Sequence, residues 1–151
     1  MTTSPRMRPA GADDLPAIVA MLADDPLGAT REDVDDPAPY RRAFEAITAD
    51  PNQHLVVADD AGTVVGTLQL TVIPGLSRKG ASRALIEAVR VREGHRGGGL
   101  GATMIGWAVD EARRQGCVLV QLTSDAARED AHRFYERLGF VASHVGFKLA
   151  L

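Results

Sequence analysis

The stretch Glu87-Ala-Val-Arg-Val-Arg-Glu-Gly-His-Arg-Gly-Gly-Gly-Leu-Gly-Ala102 constrains this chain more than any other. It opens as an apolar, β-branched run and passes through a basic loop with four glycines in five positions, Gly97 to Gly101. It continues with Leu100, Met104, Trp107, Ala108 and Ala112 at helical spacing. Strand, glycine loop and helix in this order make an anion cradle. Glycines let the backbone approach a bulky anion, neighbouring N–H groups converge on it, and the start of a helix favours negative charge. Arg96 adds a charged donor at the loop entrance. A phosphate or pyrophosphate group is the expected guest.

Three phosphate loops compete for the stretch. The nucleoside-triphosphate loop requires Lys-Ser or Lys-Thr after its last glycine, and Gly101-Ala102-Thr103 has no lysine. The dinucleotide fingerprint is met literally by Gly97, Gly99 and Ala102, with Asp125 roughly 20 residues further on. Against it, Arg92 to Arg96 separates the glycines from the strand, and the chain has no room for the second half of that fold. The third pattern, arginine-x-x-glycine-x-glycine, is met by Arg96, Gly99 and Gly101.

That third pattern resembles motif A of the GNAT superfamily of acyl-CoA N-acyltransferases. A later segment, Thr123-Ser-Asp-Ala-Ala-Arg-Glu-Asp-Ala-His-Arg-Phe-Tyr-Glu-Arg-Leu-Gly-Phe140, is similar to the family's motif B. Two motifs in order are far more specific than one glycine loop. The resemblance implies a loop, Arg96, Gly97, Gly98, Gly99, Leu100, Gly101 and Ala102, that holds the pyrophosphate of coenzyme A. It implies that the backbone of Val89, Arg90 and Val91 pairs with the pantetheine amides along the exposed edge of the strand. A bulge near Val89 would supply an N–H to the oxyanion. Ser124 stands where relatives often contact the cofactor, though many have asparagine there. Arg92 and His95 are candidates for the 3′-phosphate, and His132 for a cofactor or acceptor contact. The implied fold is a mixed α/β one, a mostly antiparallel central sheet flanked by about four helices in the order β-α-α-β-β-β-α-β-α-β-β.

Acyl transfer from a thioester to an amine needs a neutral amine, a donor for the oxyanion and a proton for the leaving thiolate. Tyr135 is the candidate acid at the sulfur, as the family's motif B implies; packing in the apolar face of its helix is the competing role. Glu87 interrupts the apolar run Ala84-Leu-Ile-Glu-Ala-Val and is the candidate base, directly or through water. A solvent-facing place on an alternating strand explains it equally well. The expected activity is transfer of an acetyl group from acetyl-CoA to a primary amine of a small molecule, by direct attack in a ternary complex. A non-catalytic acyl-CoA-binding or sensor module on the same fold is the alternative, and a dinucleotide-binding domain is a third.

Length and composition bound the rest. A chain of 151 residues supports one domain, 1–151, with one core. The start has no apolar signal core, no apolar run reaches membrane length, and the lone Cys117 forms no internal disulfide, so a cytoplasmic protein is expected. Cys117 opens an apolar strand and reads as a small hydrophobe. No Cys–His cluster suggests a metal, and no basic run suggests nucleic acid. The family's frequent dimers leave a homodimer open. Residues 1–50 carry a balance of −5 and residues 51–151 one of +2. The acidic residues Asp24, Asp25, Glu32, Asp33, Asp35 and Asp36 would draw a cationic acceptor to a site between the first two helices and the loop 74–80. Tyr40 and Phe44 could line it.

Along the chain, strands are expected at 6–10, 52–58, 63–73, 81–92 and 118–122, with a final pair over 141–151 broken near Gly146. Helices are expected from Asp13 or Asp14 to Ala23, over 40–49, from Leu100 to Gly116 and over 126–138. Gly106, inside the third helix, suggests close packing on the sheet.

Overall fold

The computed structural model describes residues 3–151, which form two compact units, one up to Gln121 and one over Leu122–Leu151. The first unit is a five-stranded sheet in the order β1-β2-β3-β4-β5. Strands β1 (Arg6–Pro9), β2 (Gln53–Asp60), β3 (Thr63–Ile73) and β4 (Arg83–Val91) are antiparallel in sequence, and β5 (Leu119–Gln121) joins β4 in parallel. The hairpin β2–β3 turns through Ala61-Gly62, where Asp59 Oδ1 accepts the Gly62 N–H at 2.6 Å. Among the described residues no helix is long and apolar enough to cross a membrane.

Alternation along β3 sorts the sheet into two faces. Leu68 and Leu70 are fully buried on one side, with Met104 and Ile105 of α4 (Leu100–Arg114). A Cβ on Gly66 would stand 2.6 Å from Met104 Sδ, so glycine there lets α4 close on the sheet. Val57 and Val64 pack instead with Ile18 and Met21 of α1 (Leu15–Ala23), and Leu22 and Leu55 border that cluster. Pro16 sits in the first turn of α1, where its missing N–H costs nothing. Helix α2 (Ala38–Ala49) buries no residue.

Between α1 and α2 the Asp- and Pro-rich segment forms only a 3-10 turn at Gly28–Thr30. Between β3 and β4 the four-residue α3 (Ser77–Gly80) is a kinked turn, with Arg78 and Lys79 both left-handed. Helix α4 ends as its sequence implies: the Gly116 N–H donates to Arg113 O at 3.0 Å and Cys117 N–H to Ala112 O at 2.9 Å. Burial pushes the Cys117 thiol above its usual pKa, as fits a small hydrophobe.

Three expectations are corrected. Gly106 is exposed and a Cβ there would meet nothing within 4 Å, so it is not a close-packing site. Val118 is 60% exposed and lies outside β5, a three-residue edge strand that is only half-buried. The strand pair over 141–151 is not formed: Val145, Phe147, Leu149 and Leu151 alternate as a strand would, yet all are exposed. Alternation specifies two faces, but a strand exists only where a ladder partner takes its backbone groups.

In the second unit α5 (Glu129–Arg137) closes with a tight glycine stop. Gly139 has φ 95°, its N–H donates to Glu136 O at 3.0 Å, and the Phe140 N–H reaches Tyr135 O at 3.1 Å. These two bonds satisfy carbonyls of the last turn, and the accompanying apolar contact joins Phe140 to Tyr135. The Leu-Gly-Phe signature is therefore a helix terminator.

Candidate active site

The expected bulge is present in β4. Thr67 pairs with Arg90 and Gln69 with Glu87, so Leu68 alone opposes both Ala88 and Val89. Ala88 takes φ 53°, a conformation costly for a residue with a Cβ, and bulges leave backbone groups outside the ladder. The other edge of β4 is open as well. β5 pairs only with Arg83, Ala84 and Leu85, so from Ile86 to Val91 that edge has no strand beside it among the described residues. Val89, Arg90 and Val91 thus lie on a free strand edge just past the bulge.

The glycine loop follows directly. The Arg92 N–H is tied to Val65 O at 2.8 Å and the His95 N–H to Arg92 O at 3.0 Å. Arg92 and His95 themselves are exposed. Gly99 caps α4 at φ 86°, ψ 2°, and its carbonyl accepts the Thr103 N–H at 3.1 Å. A Cβ at Gly97, Gly98 or Gly99 would meet nothing within 4 Å, so the space over the loop is open. No acidic side chain stands in the first turn of α4 to occupy its free N–H groups. Arg96 is held at the loop entrance from two sides. Its Nε donates to Val91 O at 2.9 Å and its Nη2 lies 3.2 Å from Asp24 Oδ2. The loop thus has open space at three of its glycines and a guanidinium at its entrance.

Glu87 is solvent-exposed and sits opposite Gln69. Arg90 lies 3.1 Å from Asp25 through Nη2 and donates from Nη1 to Val89 O at 3.0 Å, while its buried Nε has no partner among the described residues.

The acidic segment is less available than its charge suggests. Asp24 and Asp25 are paired with Arg96 and Arg90, and Asp25 also accepts the Gly28 N–H. Asp33 Oδ1 accepts the Asp35 N–H at 2.9 Å and Asp36 Oδ1 the Ala38 N–H at 3.2 Å. Tyr40 serves the same loop: its hydroxyl accepts the Asp33 N–H at 2.9 Å and donates to Glu32 at 3.4 Å. Asp24 and Asp25 thus carry arginine partners, while Glu32, Asp33 and Asp36 bond to the loop's own N–H and hydroxyl groups and keep their charge. Phe44 lines an open pocket with Ala12, Leu15, Arg41 and Glu45.

In the second unit, Tyr135 packs edge-on against Phe134 and Phe140, with ring centroids 5.1 and 5.8 Å away. The Ser124 Oγ is buried without a partner among the described residues, so it has hydrogen-bonding capacity to offer. Asp125 Oδ1 accepts the Ala127 N–H at 2.9 Å ahead of α5, and His132 Nε2 is bonded to Asp125 O at 2.8 Å. His132 is thereby committed to the helix entrance. The candidate residues fall into two groups, Glu87 to Ala102 in the first unit and Ser124 with Tyr135 in the second. Sequence reading missed the arginine–aspartate pairs and the polar row Gln53, Gln69 and Thr71. The one available signal was the alternation Leu68-Gln-Leu-Thr-Val72, which puts polar residues on a face that helices cover.

Residues 17–140 match the Acetyltransferase (GNAT) family. An aminoalkylphosphonate N-acetyltransferase of Salmonella typhimurium is 33% identical over 145 residues, 96% of this chain and 90% of that protein. A glucosamine 6-phosphate N-acetyltransferase of Trypanosoma brucei brucei is 37% identical over 90 residues, 60% of this chain and 59% of its own. The crystal structure of a transcriptional regulator from Bacillus halodurans C-125 superposes with a TM-score of 0.94 at 46% identity, over 97% of this chain and 99% of that one. With the bulged strand, the open edge and the glycine cradle in place, the chain belongs to the acetyltransferase (GNAT) family and is an N-acetyltransferase.

Proposed function

We propose that this protein transfers the acetyl group of acetyl-CoA to the primary amine of a small molecule, in one step within a ternary complex. The observation that carries the reading is the bulge at Ala88 and Val89, lying between an open strand edge and an open glycine cradle. In this reading Arg96 and the N–H groups from Gly97 to Ala102 hold the pyrophosphate. The backbone of Val89 to Val91 takes the pantetheine amides, and Ser124 Oγ contributes a further hydrogen bond. The Val89 N–H stabilises the oxyanion as the amine nitrogen bonds to the acetyl carbon. Glu87 takes the proton the amine gives up, and Tyr135 returns one to the sulfur as the carbon–sulfur bond breaks. No covalent enzyme intermediate is needed, because the thioester is already activated.

The acceptor class is a small amine. Two relatives named for amines that carry a phosphonate or phosphate support this. The reading set against it is a non-catalytic module, in which the same site binds acyl-CoA without transferring the acetyl group. Thiol release from acetyl-CoA across an amine panel separates the two. Turnover that falls roughly a hundredfold in Tyr135→Phe with unchanged coenzyme A affinity is the expected result. Coenzyme A binding without turnover of any amine would favour the module.

A further inference from the structure

The sheet face under α1 changes character partway along. Cross-strand partners project to the same side, so Leu55, Gln69 and Glu87 form one row and Gln53, Thr71 and Leu85 the next. Leu55 belongs to the apolar cluster of Ile18, Met21, Val57 and Val64, which identifies the face. Beyond Leu55 the apolar pattern gives way to three half-buried polar side chains, which must be hydrogen-bonded to be tolerated there.

Their bonds are asymmetric. Gln53 Oε1 accepts from Gln69 Nε2 at 2.8 Å and from Thr71 Oγ1 at 2.8 Å. Gln53 Nε2 turns back to Asp50 Oδ2 at 3.5 Å. Every donor in the row is thus directed at Gln53 or away from the sheet. What remains are two acceptors on directly opposed residues, the Gln69 Oε1 and the Glu87 carboxylate, neither with a donor among the described residues. Opposed positions bring side chains within roughly 5 Å of each other. Such a pair is complementary to a group with two or more N–H bonds and no need of a donor, which is a primary amine. The pair stands one residue from the bulge at Ala88.

We infer that the row Gln53–Gln69–Thr71 with Glu87 is the acceptor-binding surface, and that Gln69 positions the amine by accepting one of its N–H bonds. Gln53, whose Oε1 also accepts from Thr71, takes the Gln69 Nε2 and so leaves the Gln69 oxygen for the amine. This inference rests on the acetyltransferase reading of the site and adds the residue that orients the acceptor.

The side-chain amide signals of the protein give a direct test, since the chain holds four glutamines and one asparagine. Nitrogen-15-labelled protein saturated with coenzyme A is titrated with ethanolamine, glucosamine 6-phosphate and 1-aminoethylphosphonate. The expected result is a saturable shift of the Gln53 and Gln69 amides by at least one amine, with Gln115 and Gln121 unmoved. Gln69→Leu should abolish the response at Gln53 and raise the KM for that amine about tenfold at nearly unchanged kcat, while Thr71→Val, which leaves the Gln69 amide in place, should keep the amine-induced shift at Gln69. Amine-induced shifts confined to other residues, or no shift with any of the three, would overturn the inference. Failure of the cofactor reading shows separately, as backbone amides from Arg96 to Ala102 that do not respond to coenzyme A.

Discussion

Replacing Gly99 and Gly106 with alanine, one at a time, should move stability in opposite directions from within two turns of the same helix. Gly99 caps α4 at φ 86°, where a residue with a Cβ is strained by about 1 kcal/mol. Gly106 lies in the middle of α4, is exposed, and has nothing within 4 Å of where a Cβ would stand, so alanine should gain about 1 kcal/mol of helix propensity. For a domain of this size 1 kcal/mol corresponds to roughly 2–4 °C, so the two variants should melt that far below and above the wild type. The Gly99 substitution meets no atom in the free protein either. Its strain effect is therefore small, while its methyl group would enter the space assigned to the pyrophosphate. Coenzyme A affinity should fall by about tenfold or more in Gly99→Ala and stay at the wild-type value in Gly106→Ala. Thermal unfolding and isothermal titration read both quantities on the same samples. A Gly99→Ala protein that melts lower but binds coenzyme A with wild-type affinity would refute the cradle. One that melts at the wild-type temperature would refute the argument from backbone strain.

Two further outcomes follow from ion pairs. Asp24→Asn frees Arg96 from a pair in which both side chains are about half exposed, worth at most about 1 kcal/mol; coenzyme A should then bind up to about fivefold tighter at low salt, an advantage that vanishes above about 0.5 M salt. Arg8 bridges Asp14 and Asp59 at 2.8 Å each, and its guanidinium holds both carboxyls below their usual pKa. The stability this provides is complete above the unfolded carboxylate pKa of about 4 and is lost as the pH falls through the lower folded values. Urea midpoints measured between pH 6 and pH 2 should fall less steeply in Arg8→Met than in the wild type, and equal slopes would rule the bridge out as the source.

The elements with a local cause were legible in the sequence. Alternation placed the hairpin β2–β3, the three-to-four spacing of Leu100, Met104, Ala108 and Ala112 placed α4, and Gly116 and Gly139 stopped their helices by bonds made within six residues. The two motifs, read together, were enough for the family. Contacts between distant segments were not legible. Asp24 and Asp25 looked like free surface charge until the fold brought Arg96 and Arg90 to them from more than sixty positions away. Gln53, Gln69 and Thr71 became one hydrogen-bonded row only through the β2–β3 register. The apolar alternation of 141–151 was a true pattern that no ladder completed, because pairing is decided by a partner strand. Local periodicity and turn chemistry are properties of a few neighbouring residues, so this sequence by itself determined its hairpin, its main helix and its helix stops. Which charges are neutralised, which strand edge stays open and which polar groups meet depend on segments far apart in the chain, and only the tertiary structure decided them.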